Sequence, residues 1–280
     1  MKFTLGFSPC PNDTFIFDAL VNGKIDTEGI EFELVLDDVQ TLNNWAKEGR
    51  LDFSKISYGA LPLLLSQYAV LESGGALGMG VGPLLLAKEP MELEKVNASK
   101  IAIPGKDTTA HMLFSLAYPD AANKEFVVFD EVEDFVLDGK GLGVIIHENR
   151  FTYQKRGLHK LIDLGDYWEK TTGAPIPLGG IIAKKTIPKA TILKVNELIR
   201  KSIQYAYEHH EDHLADFVKA HAQEMEEAVM RQHIGLYVNG FSLDLGEKGH
   251  KAIDQVLDVY QKLHPDADID HNSIYAEDLA

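Results

Sequence analysis

Three short apolar runs, each followed by a stretch with helical spacing, open this chain and restrict its fold more than any other feature. Phe3, Leu5 and Phe7 alternate with other residues before the break Ser8-Pro9-Cys10-Pro11-Asn12-Asp13, which predicts a first strand. A helix is predicted next, capped by Asn12 or Asp13 and stopped at Gly23. Alternation returns from Ile30 to Leu36, and Val39, Leu42, Trp45 and Ala46 then mark one helical face that ends at Gly49. A third strand through Phe53 and Ile56 meets a turn at Ser57-Tyr58-Gly59, after which Leu61, Leu64, Leu65 and Tyr68 again have helical spacing. Strands separated by helices pair in parallel, because the crossover helix returns the chain to the same end of the sheet. The expected class is therefore α/β.

A second set of such elements follows. Residues Gly74 to Gly82 are glycine-rich, but they lead through Pro83 into the apolar strand Leu84 to Ala87, with no Gly-Lys-Ser/Thr and no following helix. They read as a turn into a hinge strand, since a nucleotide loop needs its strand-loop-helix context. New strands are predicted at Lys100 to Pro104, Glu125 to Phe129 and Leu142 to His147. After Pro175 to Gly180 comes the apolar segment Ile181-Ile182-Ala183, and from Ile187 onward the patterns are helical. A chain of 280 residues has room for two lobes. The strand-like segments near 84 to 88 and 179 to 184 bracket the middle block. The expected division is thus a discontinuous lobe of residues 1–88 plus 179–280 and an inserted lobe of residues 89–178, with ligands held between them.

Composition narrows the partners. With 27 basic against 43 acidic residues the net charge is −16, and such a surface repels phosphate backbones and anionic headgroups. Neither nucleic acid nor membrane is an expected partner; a small molecule is. The single cysteine, Cys10, excludes an intramolecular disulfide and a multi-cysteine zinc site. No apolar run approaches the roughly 20 residues that span a bilayer. The first residues, Met1 to Cys10, lack the continuous apolar segment of a signal peptide.

Three stretches fall at predicted strand ends, where such sheets hold ligands: Lys55-Ile56-Ser57-Tyr58, Asp107-Thr108-Thr109-Ala110 and His147-Glu148. The first two stand at helix starts, whose unpaired N–H groups and dipole attract anions without arginine or lysine. Capping is the commoner use of Ser57, Thr108 and Thr109. His147 leaves a buried strand with Glu148 beside it and suits a base near neutral pH, although a hydrogen-bonded structural histidine has the same pattern. Cys10, rigid between two prolines, reads as packing rather than as a nucleophile. His209, His210 and His213 do not form the His-Glu-x-x-His zinc motif, and Glu224, Glu226 and Glu227 read as a solvated helix face.

Several of these segments, taken together, resemble a known family. Ser8-Pro9-Cys10-Pro11-Asn12-Asp13-Thr14-Phe15, Lys55-Ile56-Ser57-Tyr58, Val144-Ile145-Ile146-His147-Glu148-Asn149-Arg150 and Pro175-Ile176-Pro177-Leu178-Gly179 are similar to the 1,4-dihydroxy-6-naphthoate synthases of the futalosine route to menaquinone. The resemblance runs through most of the chain. It implies a two-lobed fold of the type 2 periplasmic-binding-protein kind, a cytoplasmic enzyme and no metal or organic cofactor. The implied reaction is a carbon-carbon cleavage of cyclic dehypoxanthine futalosine that releases 1,4-dihydroxy-6-naphthoate and dihydroxyacetone. His147 would then be the proton acceptor, and Lys55, Ile56, Ser57, Thr109 and Ala110 would bind the small anionic substrate. A chorismate dehydratase of the same pathway shares the implied fold, and a solute-binding protein is the non-enzymatic rival.

Overall fold

A computed structural model of the chain describes residues 1–147, 149–210, 213–222 and 226–280. In chain order its strands are β1 (Lys2–Phe7), β2 (Glu31–Leu36), β3 (Phe53–Ser57), β4 (Tyr68–Val70), β5 (Ala76–Gly78), β6 (Leu84–Ala87), β7 (Ile101–Ile103), β8 (Lys124–Phe126), β9 (Leu142–Ile145), β10 (His159–Asp163) and β11 (Ile176–Lys184). They form two sheets. The first has the order β2-β1-β3-β11-β4, with β5 also on β11; the second runs β10-β6-β9-β7-β8.

The sheets are mixed rather than wholly parallel. β1 is parallel to β2 and β3, and β7 is parallel to β8 and β9, as crossover helices require. β11 runs antiparallel to β3, β4 and β5, and β6 antiparallel to β9 and β10. These two strands follow the passages of the chain from one sheet to the other, so no crossover helix dictates their direction. Strand β6, placed in the first lobe by the sequence pattern, hydrogen-bonds in the second sheet.

Local chemistry explains where elements begin. Helix α1 (Pro11–Val21) starts with Pro11, whose missing N–H costs nothing at a helix start. Its cap residue is Cys10, which makes no side-chain capping bond. Asn12 and Asp13 lie inside the first turn, so neither is the expected cap. Helix α2 (Val39–Lys47) is capped by Asp38, whose carboxylate accepts from the N–H groups of Gln40 and Thr41. Helix α3 (Thr109–Ala117) is capped by Thr108, whose hydroxyl accepts from the His111 N–H. The helical spacing from Leu61 to Tyr68 yields only a 3₁₀ turn, Tyr58–Leu63, before β4 begins. Pro62 inside it has no N–H to extend a ladder.

Apolar faces then close the core. Phe7 of β1 stacks on Phe17 of α1 with ring centroids 4.3 Å apart, and the helix Lys189–His209 packs along α1. Beneath the second sheet, Leu86, Val132, Val136 and Ile145 form a separate cluster. Among the described residues no helix is long and apolar enough to cross a membrane.

Candidate active site

The C-terminal ends of β1 and β3 face the start of α3 and the end of β9 across a cavity lined from both sheets. All six residues singled out in the sequence line it: Lys55, Ile56 and Ser57 from β3, Thr109 and Ala110 from α3, and His147 beyond β9. Glu148 lies outside the described residues.

Every residue of β3 is buried, and the Lys55 side chain meets the outside only through the cavity. Its ammonium lies 2.9 Å from Asp13 Oδ1 and donates to the Gly74 carbonyl at 2.9 Å. Asp13 also accepts from the Ser8 hydroxyl at 2.7 Å and from Asn12 Nδ2 at 2.8 Å. Charge and hydrogen bonds are both matched, as a buried ion pair demands. The loop after β1 is thereby tied to β3 in the cavity wall.

Ser57 and Thr109 join the two lobes directly. The Thr109 N–H donates to Ser57 Oγ at 2.7 Å, and the Thr109 hydroxyl accepts from the Gly59 N–H at 3.0 Å. The same hydroxyl lies 3.1 Å from the Leu178 carbonyl, to which it donates. Thr108 is thus a helix cap, whereas Ser57 and Thr109 make contacts between lobes. Asn43, fully buried on α2, braces this junction: it accepts from the Ser57 N–H at 3.0 Å and donates to the Asp107 carbonyl at 2.7 Å.

Gly59 is required by proximity. A Cβ there would stand 2.4 Å from the Thr108 carbonyl carbon and 2.5 Å from the Thr109 nitrogen. Neither is a movable side-chain end. Gly59→Ala should therefore force the lobes apart and cost about 1–3 kcal/mol of stability. A variant with the wild-type melting temperature and scattering profile would contradict this contact.

His147 adopts a left-handed backbone conformation, φ 57°, which side chains other than glycine seldom take. Its carbonyl accepts from the Arg150 N–H at 3.2 Å. The Arg150 guanidinium donates to Asp163 Oδ2 at 2.7 Å and to the Gly82 carbonyl, fixing the turn to β6 and β10. The imidazole packs on Phe129, centroids 4.9 Å apart, and Cys10 Sγ lies 3.2 Å from its Nδ1.

His233, absent from the sequence expectations, stands edge-on to His147 with centroids 6.2 Å apart. It is buried in the helix Glu227–Tyr237, and its Nε2 lies 2.8 Å from Asn12 Oδ1. Because Asn12 Nδ2 already donates to Asp13, Oδ1 is the acceptor and His233 Nε2 carries the proton. The missed signal was a histidine among Val229, Met230, Ile234 and Tyr237 on one apolar helix face. Burial, with His147 nearby, holds its pKa well below the ordinary histidine value. The folded protein therefore stays unprotonated here while the unfolded chain takes up a proton below about pH 6.5. Stability should fall with decreasing pH by up to about 1.4 kcal/mol per unit from this group. His233→Gln should flatten that slope in denaturation curves between about pH 6.5 and 5; parallel slopes would refute it.

Among the described residues, His209, His210 and His213 form no group able to hold a metal ion. The His209 ring stacks on Tyr205 at 3.9 Å, His210 Nε2 lies 3.3 Å from Asp18, and His213 is exposed. Glu226 and Glu227 approach Lys155 and Arg231 respectively, and Glu224 lies outside the described residues.

Two mixed sheets facing each other across such a cavity define a two-lobed α/β protein with a periplasmic-binding-protein-like fold. The periplasmic aliphatic sulphonate binding protein of Escherichia coli shares it, with a TM-score of 0.65 at 12% identity over 98% of this chain and 90% of that one. A protein of Archaeoglobus fulgidus matches with a TM-score of 0.86 at 28% identity, over 93% of this chain and 97% of its own. The chain belongs to the menaquinone biosynthesis family, whose model matches residues 3–262. It is 47% identical to a 1,4-dihydroxy-6-naphthoate synthase of Thermus thermophilus, over 89% of this chain and 90% of the relative. A synthase of the same name from Streptomyces coelicolor is 44% identical over 90% of each.

Proposed function

We propose that this chain catalyses the 1,4-dihydroxy-6-naphthoate synthase reaction, cleaving a carbon-carbon bond of cyclic dehypoxanthine futalosine to give 1,4-dihydroxy-6-naphthoate and dihydroxyacetone. The observation that carries this reading is the 47% identity to a synthase over 89% of the chain. The cavity supports it, because a histidine and a helix N-terminus from the second sheet meet there opposite Lys55 and Ser57 of the first.

In this reading the lobes close on the substrate. The start of α3 suits the substrate carboxylate, since the Ala110 N–H in its first turn has no intrahelical acceptor. Lys55, Ile56, Ser57 and Thr109 complete the substrate contacts. His147 takes a proton, the electrons of the broken carbon-carbon bond pass into the ring system, and formation of the aromatic naphthalene favours the forward direction. The division into lobes of residues 1–88 plus 179–280 and residues 89–178 belongs to the same proposal, amended by moving β6 into the inserted lobe. So does a cytoplasmic location.

Incubation of the purified protein with cyclic dehypoxanthine futalosine, and separately with chorismate, followed by mass spectrometry, tests the reaction. Naphthoate and dihydroxyacetone from the first substrate are expected. Dehydration of chorismate, or binding without turnover of either compound, would overturn it.

A further inference from the structure

The sequence separates Cys10 and His147 by 137 positions, yet Cys10 Sγ lies 3.2 Å from His147 Nδ1. Cys10 is buried at the start of α1 between Pro9 and Pro11, so its sulfur has little freedom to move. A second cleft lies beyond it. Cys10 lines that outer cleft and not the central cavity, whereas His147 lines both. The imidazole therefore stands as a partition with Nδ1 on the sulfur side.

A neutral imidazole has one proton for two nitrogens. With the proton on Nδ1, that nitrogen donates to sulfur and Nε2 keeps its lone pair. With the proton on Nε2, the thiol donates to Nδ1, and Nε2 is unable to accept a substrate proton. The two arrangements have opposite chemical consequences.

We propose that Cys10 is a positioning residue: its sulfur accepts from the His147 Nδ1–H and so fixes the tautomer whose Nε2 serves as the base. The proposal rests on His147 being that base. In the step itself the Nε2 lone pair takes the substrate proton and the bonding pair stays with the substrate. The imidazolium keeps its Nδ1–H on sulfur, and Cys10 remains a thiol, neither oxidised nor alkylated. Among the described residues, Asp37, Asp38 and Asp130 border the outer cleft, and Asp13, Lys55, His233 and Tyr237 border the central cavity; these are the charged or titratable groups placed around the pair.

Nitrogen-15 spectra of the histidine side chains in the substrate-free protein test this directly, the His147 signals being those lost in His147→Asn. A protonated Nδ1 and bare Nε2 are expected in the wild type, with that preference lost in Cys10→Ala. Turnover of Cys10→Ala should drop about 10–100-fold at little changed KM, as when the partner that orients a functional histidine is removed. Cys10→Ser, which retains an acceptor, should recover part of it. An Nε2–H tautomer in the wild type would overturn the proposal, as would unchanged tautomer and turnover in a folded Cys10→Ala protein. Normal turnover of His147→Asn would instead defeat the base assignment, whereas the substrate-free spectra would still decide what Cys10 does to the ring.

Discussion

His147→Asn should turn over about 10²–10⁴ times more slowly than the wild type while still binding substrate. Asparagine keeps a comparable size and a hydrogen-bonding end, and residue 147 already occupies a left-handed conformation that asparagine tolerates. What it lacks is a lone pair able to take a proton near neutral pH. The loss should therefore fall on kcat, with KM little changed. In the wild type, kcat/KM should rise with pH as the base is freed of its proton, and that ascending limb should vanish in the variant. A folded variant with normal turnover would assign His147 to binding or structure, and the base would have to be sought elsewhere.

Much of this arrangement is legible in the sequence. Alternation at Phe3, Leu5 and Phe7 places a strand whose end must lie at the sheet's C-terminal edge, and the same logic brings Ser57, Thr109 and His147 to one place. Ser57 is the last residue of a strand, Thr109 the first of a helix and His147 the second residue beyond a strand, and these positions follow from local patterns. Direction was less legible. Apolar runs such as Leu84 to Ala87 look the same in parallel and antiparallel pairing, so β6 and β11 gave no sign of entering their sheets reversed. Pairwise chemistry was the least legible. Asn12 looks like a helix cap, yet its partner is His233, 221 positions away. Cys10 has no positive neighbour in sequence and meets His147 only because α1 and the turn after β9 converge. Such pairs are set by the packing of whole elements, and no local spacing encodes them.

Loss of one partner of the Lys55–Asp13 ion pair in the cavity wall should be the costliest single change at this site. Lys55→Met preserves length and apolar bulk but removes the ammonium from a position where the Lys55 and Asp13 side chains are only 6% and 2% exposed. Asp13 would keep its bonds from Ser8 and Asn12, and the Gly74 carbonyl would lose its donor from Lys55. Breaking one partner of a buried pair costs about 3–5 kcal/mol, because the remaining charge stays desolvated. For a chain of this size that corresponds to a melting temperature lower by on the order of 10 °C. Removing both charges with Lys55→Met and Asp13→Asn together should restore a large part of the loss, because the cost lies in the orphaned carboxylate rather than in a net benefit of the pair. If Lys55→Met alone costs under about 1 kcal/mol, the pair is no stronger than an exposed one, and another contact must hold the loop. The location of the loss matters for function as well. The pair ties the segment carrying Ser8, Cys10 and Asn12 to β3, and that segment supplies partners to His147 and His233. A weakened pair should loosen both histidines, so Lys55→Met should lower turnover even where substrate still fills the cavity.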